Sequence, residues 1–93
     1  MRKIVNGLLY DSETAVCVAS YSFGLLGEPT SYSESLFRTS KGNWFLCGAG
    51  GPQSPYPGRE DLLPLSAFDA KNWLDAKGYI EPRERIFGRV EAA

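Results

Sequence analysis

The residues of this chain that could do chemistry are few and poorly spaced for catalysis. There is no histidine, which removes Cys-His and Ser-His nucleophilic catalysis and the usual general acid-base group of neutral pH. Cys17 and Cys47 lie far apart and, without histidine, cannot complete an N/S zinc site. Both fall in apolar strand patterns, so they are expected to be buried, reduced thiols rather than a disulfide. A carboxylate-only magnesium or glycosidase site would draw on Asp11 with Glu13, or on Glu60 with Asp61. Both pairs stand in turn-like segments, where adjacent carboxylates are ordinarily solvated. Gly48-Ala49-Gly50-Gly51 faintly resembles a phosphate loop, but it lacks the GK[ST] ending and runs into Pro52 instead of a helix. The expectation is a protein that is not an enzyme and holds no cofactor or metal.

Two kinds of binding chemistry remain. Arg38, Lys41, Trp44 and Phe45 interleave basic and aromatic side chains, as single-strand nucleic-acid surfaces do. Aromatic residues in strands are more often core, and Trp44 and Phe45 point to opposite faces. The second kind is a protein–protein surface. Leu25, Leu26, Tyr32, Tyr56 and Arg59 lie in or beside loops, Phe68 faces outward from a helix, and Arg38 adds a charge beside the central turn. Several are residue types enriched at binding hot spots.

These residues need elements to position them. Ninety-three residues with 43% hydrophobic and 13% aromatic content suit one small domain, 1–93, which buries about 60–65% of its unfolded surface. Ten basic and eleven acidic residues give a net charge of −1, a poor balance for duplex DNA binding. No apolar run approaches a membrane span, and Met1-Arg2-Lys3 leads into a short strand, not an apolar signal core. The expected location is the cytoplasm, with no membrane partner.

The organising stretch is Ser33 to Pro52, two runs of strand formers around Lys41-Gly42, ended by glycines and a proline. Taken as a two-residue loop, Lys41-Gly42 sets Thr39 opposite Trp44, Phe37 opposite Leu46 and Leu36 opposite Cys47. Both faces then carry large apolar groups, so the hairpin belongs at the centre of a sheet covered on both sides. Earlier, Asn6-Gly7 supplies the two positive-φ positions of a type I′ turn between Arg2–Val5 and Leu8–Tyr10. Ala15–Phe23 reads as a longer strand, with Cys17, Ala19, Tyr21 and Phe23 on one face. Gly24–Tyr32 and the glycine- and proline-rich Gly48–Gly58 read as loops, and Arg59–Leu65 as a brief strand interrupted at Pro64.

One clear helix spans 66–77, with Ser66 as N-cap, Gly78 as the C′ glycine, and Ala67, Ala70, Trp73 and Leu74 on its inner face. Beyond it, Tyr79-Ile80 reads as a short strand, Pro82–Phe87 as a single turn, and the chain from about Gly88 as a frayed end. The sum is an α+β fold: an antiparallel sheet of four to five strands, with hairpins 2–10 and 35–48, and one helix packed on it.

Lys3–Ala15, Ser35–Leu46 with its glycine-rich end, and Pro64-Leu65-Ser66 together resemble a group of small, mostly uncharacterised accessory proteins carried by phages, plasmids and integrative elements. The likeness covers about the first three-quarters of the chain and rests on turns and strands, not catalytic signatures. Many members have a histidine near the position of Cys47, where this chain departs. The resemblance implies a non-enzymatic, protein-binding inhibitor that blocks a host defence complex, such as an anti-CRISPR protein occluding a CRISPR effector. The alternative is a small nucleic-acid-binding accessory or regulatory protein of the element.

Overall fold

The computed structural model describes residues 1–93. In chain order the elements are β1 (Arg2–Val5), β2 (Leu8–Asp11), β3 (Val16–Phe23), β4 (Tyr32–Arg38), β5 (Trp44–Gly50), β6 (Glu60–Leu65), α1 (Ala67–Lys77) and α2 (Ile80–Phe87). The fold is α+β. Strands β3-β4-β5-β6 form an antiparallel meander in sequence order, and β1-β2 form a separate two-stranded sheet. No helix is long and apolar enough to cross a membrane.

The first hairpin follows from its turn. Asn6 and Gly7 both adopt positive φ, 51° and 77°, and Val5 pairs with Leu8 across the two-residue loop. The hairpin does not extend the main sheet. It packs on one face, where Tyr10, Phe45 and Leu62 are buried together with Val5, Phe37 and Cys47 against them. The other face carries Leu36, Trp44 and Leu46 under Ala70 and Leu74 of α1, with Ile86 and Phe87 of α2 alongside. The β4-β5 hairpin is therefore central and covered on both faces, as its apolar residues require.

Its register differs from the expected one. Arg38 pairs with Trp44, Phe37 with Phe45 and Leu36 with Leu46, one residue off the pairing that a Lys41-Gly42 loop would give. The loop has three residues, Ser40-Lys41-Gly42. Thr39 N–H donates to Asn43 O at 2.8 Å, Gly42 N–H donates to Thr39 O at 2.9 Å, and Gly42 closes the turn at φ 86°. A type I′ turn needs positive φ at both central residues, which lysine resists; the longer loop places only glycine there. The slip changes which residues share a face. Leu36 joins Trp44 and Leu46 under the helices, and Phe37 stacks on Phe45 at 5.1 Å on the hairpin side.

Three further expectations are corrected. The alternation of β3 breaks at a bulge between Cys17 and Ala19, so that Val18 and Ala19 both pack against the helix-side core. Cys17 is exposed and Cys47 half-buried, both free thiols, so Cys17 is not the buried residue its strand pattern suggested. Residues 80–87 form an eight-residue helix in place of a strand and a single turn. Pro82 lies in its first turn, where its missing N–H has no intrahelical partner to lose.

Helix α1 matches its signals. Ser66 Oγ accepts from Asp69 N–H at 3.0 Å, and Gly78 takes a left-handed conformation at φ 76°. Pro64 lies inside β6 opposite Phe45, an edge strand on which its missing donor is tolerated. From Gly88 the chain has no helix or strand.

A candidate protein-binding groove between two loops

The loop after β3 and the loop after β5 meet at one end of the main sheet, because β3 ends and β4 begins where β5 ends and β6 begins. Gly51 N–H donates to Ser31 O at 2.9 Å and Gln53 N–H donates to Pro29 O at 2.8 Å. A groove of about 530 Å³ lies between them, walled by Phe23, Leu26, Glu28, Tyr32, Gly50 and Gly51 among others. The glycines are required there. A Cβ on residue 51 would stand 2.5 Å from Pro29 O, and one on residue 50 would stand 2.8 Å from Ser31 O. β5 consequently runs to Gly50 instead of stopping at Gly48.

Two residues along β4 from Tyr32, Glu34 ties the loop after β5 to the helix α1. Its Oε2 accepts from the Tyr56 hydroxyl at 2.5 Å, and its Oε1 accepts from Trp73 Nε1 at 3.0 Å. Lys77 Nζ lies 3.9 Å from Glu34 Oε1 and 4.2 Å above the Tyr21 ring. The Tyr56 ring rests on the bare Cα of Gly48, so any Cβ at residue 48 would overlap ring carbons. Burial, followed by the hydrogen bond to Glu34, pushes the Tyr56 phenol well above its ordinary value of 10.0. Tyr79 O–H donates to Ser20 O and ties the start of α2 to β3.

The structure sorts the sequence-derived surface residues. Leu25 is 74% exposed and Leu26 fully exposed; Leu26 lines the groove. Tyr32 is half-buried in its wall, stacked on Phe23 at 5.5 Å. Tyr56 is a correction: at 4% exposure it belongs to the interior, because Gly48 leaves room for its ring and Glu34 takes its hydroxyl. Arg59 is exposed just before β6. Arg38 lies at the opposite end of β4, its guanidinium 5.2 Å above Trp44. Phe68 is exposed in the first turn of α1, after β6 has carried the chain to that opposite end. The groove thus gathers Leu26 and Tyr32, leaves Leu25 outside its lining on the same loop, and separates them from Arg38 and Phe68. Phe23 and Glu28 were missed; the only signal available was their place beside the turn residues Gly24 and Pro29.

The other candidates resolve as structural. Trp44 and Phe45 are buried on opposite faces, so neither offers a stacking platform to bases. Asp11 pairs with Arg2 at 3.4 Å and accepts from Glu13 N–H at 2.9 Å. Asp61 pairs with Lys3 at 3.1 Å, and hydrogen bonds from Lys3 and the Leu62 amide hold its carboxyl below the usual range. Burial pushes the Cys47 thiol up, away from the thiolate that reactive cysteines need.

No protein-family model, curated protein or solved structure matches this chain.

Proposed function

We propose that this chain is a non-enzymatic binding protein that inhibits by occluding a surface of its target. On the resemblance to accessory proteins of mobile elements, we propose further that the target is a host defence complex such as a CRISPR effector. The observation that carries the reading is the placement of exposed Leu26 in the wall of the Phe23–Tyr32 groove, with exposed Leu25 next to it on the same loop. Apolar side chains held outward on an ordered loop, beside a concave wall, are the form of an anchor for another protein. The loops are stitched to one another and tied through Tyr56 to Glu34, so little ordering entropy opposes binding. Burial of Trp44 and Phe45 weighs against the nucleic-acid alternative.

The deciding experiment is expression of the chain in hosts immunised against a phage by each common CRISPR type, scored by plaquing and by co-purification of the effector. Restored plaquing with a stoichiometric complex is expected. Absence of rescue across those types removes the CRISPR target, and salt-sensitive gel shifts with single-stranded DNA or RNA would transfer the assignment to nucleic acid.

A further inference from the structure

The groove has a chemical preference of its own. Among the residues that line it, Glu28 alone carries a formal charge, and none is basic. The Glu28 carboxylate is held in place: Oε1 accepts from Leu25 N–H at 2.6 Å, and Oε2 has no partner within the chain. Phe23 and Tyr32 line the same groove; their rings stack on each other at 5.5 Å with an interplanar angle of 26°, which covers one face of each and leaves the exposed Phe23 ring as the aromatic surface for a planar cation. Lys77, whose ammonium lies 5.9 Å from the Tyr32 ring, is already paired with Glu34.

An oriented carboxylate with one free oxygen, in one groove with an aromatic face and an exposed leucine, suits a flat cationic group with apolar neighbours. Arginine meets this better than lysine, because its guanidinium stacks on rings while donating in-plane hydrogen bonds to carboxylate. We propose that the groove receives an arginine side chain presented by a partner protein, with Glu28 taking its charge, the Phe23 ring its plane, and Leu26 the flanking apolar residue. The proposal rests on the reading of this end of the sheet as a protein-binding surface.

The test is an amide NMR titration of the folded chain with a blocked pentapeptide bearing one central arginine between leucines. Its control is the same peptide with citrulline, a neutral near-isostere. Saturable shifts centred on Phe23, Gly24, Glu28, Tyr32 and Gly51 are expected, with the arginine peptide about threefold tighter, the scale of one exposed ion pair. Glu28→Gln should erase that difference while leaving the melting temperature within the error of wild type. Equal affinity for both peptides, shifts centred elsewhere, or no shifts at about 5 mM peptide would overturn the proposal. So would groove shifts produced by concentrating the protein alone, which assign the groove to a second copy. If Leu26→Glu abolishes inhibition of the effector while Glu28→Gln changes neither assay, the inhibitor reading stands and the arginine pocket falls.

Discussion

The Tyr56 hydroxyl donates to Glu34 at 2.5 Å while the Tyr56 ring lies flat against Gly48. One tyrosine thereby fixes the glycine-rich loop to β4 by its polar end and to β5 by its apolar body. Glu34 also accepts from Trp73, so the same carboxylate joins the loop, the sheet and α1.

Removing the hydroxyl should be felt as a lost buried hydrogen bond to a charged group. Tyr56→Phe is expected to lower unfolding free energy by about 1.5–3 kcal/mol, measured by urea denaturation. Gly48→Ala should also destabilise, because its methyl group displaces the ring. The two sites are in contact, so their effects should not add. In a Tyr56→Ala background, Gly48→Ala should become nearly neutral. Simple additivity in that double-mutant cycle would remove the proposed ring–glycine contact.

The same phenol sets an alkaline limit. Its folded value is raised above the ordinary 10.0 by burial and Glu34, so the neutral form is favoured in the folded state. That contribution is fully present below the unfolded value and is lost as pH rises from there toward the folded value. Wild-type stability should therefore fall as the pH rises above about 10, and Tyr56→Phe should flatten the slope. An unchanged slope in the variant would assign the alkaline loss to other groups.

The two thiols should be separable by rate. Cys17 is exposed, whereas Cys47 is half-buried with its thiol pushed up by burial. Alkylation at about pH 8 followed by mass spectrometry should label Cys17 first, since the thiolate is the attacking form. Labelling of Cys47 at the same rate would mean that the β1-β2 hairpin opens readily from the sheet.

The surface assignments predict a split among substitutions. Leu26→Glu should weaken inhibition of the target at least tenfold, the scale of losing a central anchor, with the melting temperature unchanged. Phe68→Ala should leave inhibition intact, because Phe68 stands at the opposite end of the molecule. Tyr56→Ala should lower both inhibition and melting temperature. Loss of inhibition in Phe68→Ala alone would move the interface to α1.

Local chemistry made the elements legible. Asn6-Gly7 announces its hairpin because only such residues adopt two successive positive φ angles cheaply, and both do so here. Ser66 and Gly78 bound α1 through backbone groups that any helix must satisfy at its ends. The exposed Leu25 and Leu26 were likewise visible as apolar residues in a loop of turn formers.

The site itself was not legible, because its determinants lie across the fold. Whether Lys41-Gly42 closes a two-residue or a three-residue loop depends on the cost of positive φ at lysine weighed against packing on both faces of the sheet. A one-residue slip decides which apolar residues meet. Tyr56 had the chemistry of a surface anchor and became interior because Gly48, in β5, leaves its Cα bare. The amino-acid sequence alone determined the Asn6-Gly7 turn, the runs that become the six strands, and where α1 starts and stops, since those choices are set by neighbouring residues. Only the tertiary structure decided that Glu34 binds Tyr56 and Trp73 together and that Phe23, Leu26, Glu28 and Tyr32 share one groove. Those contacts exist only once the sheet has brought distant segments within hydrogen-bonding and van der Waals reach.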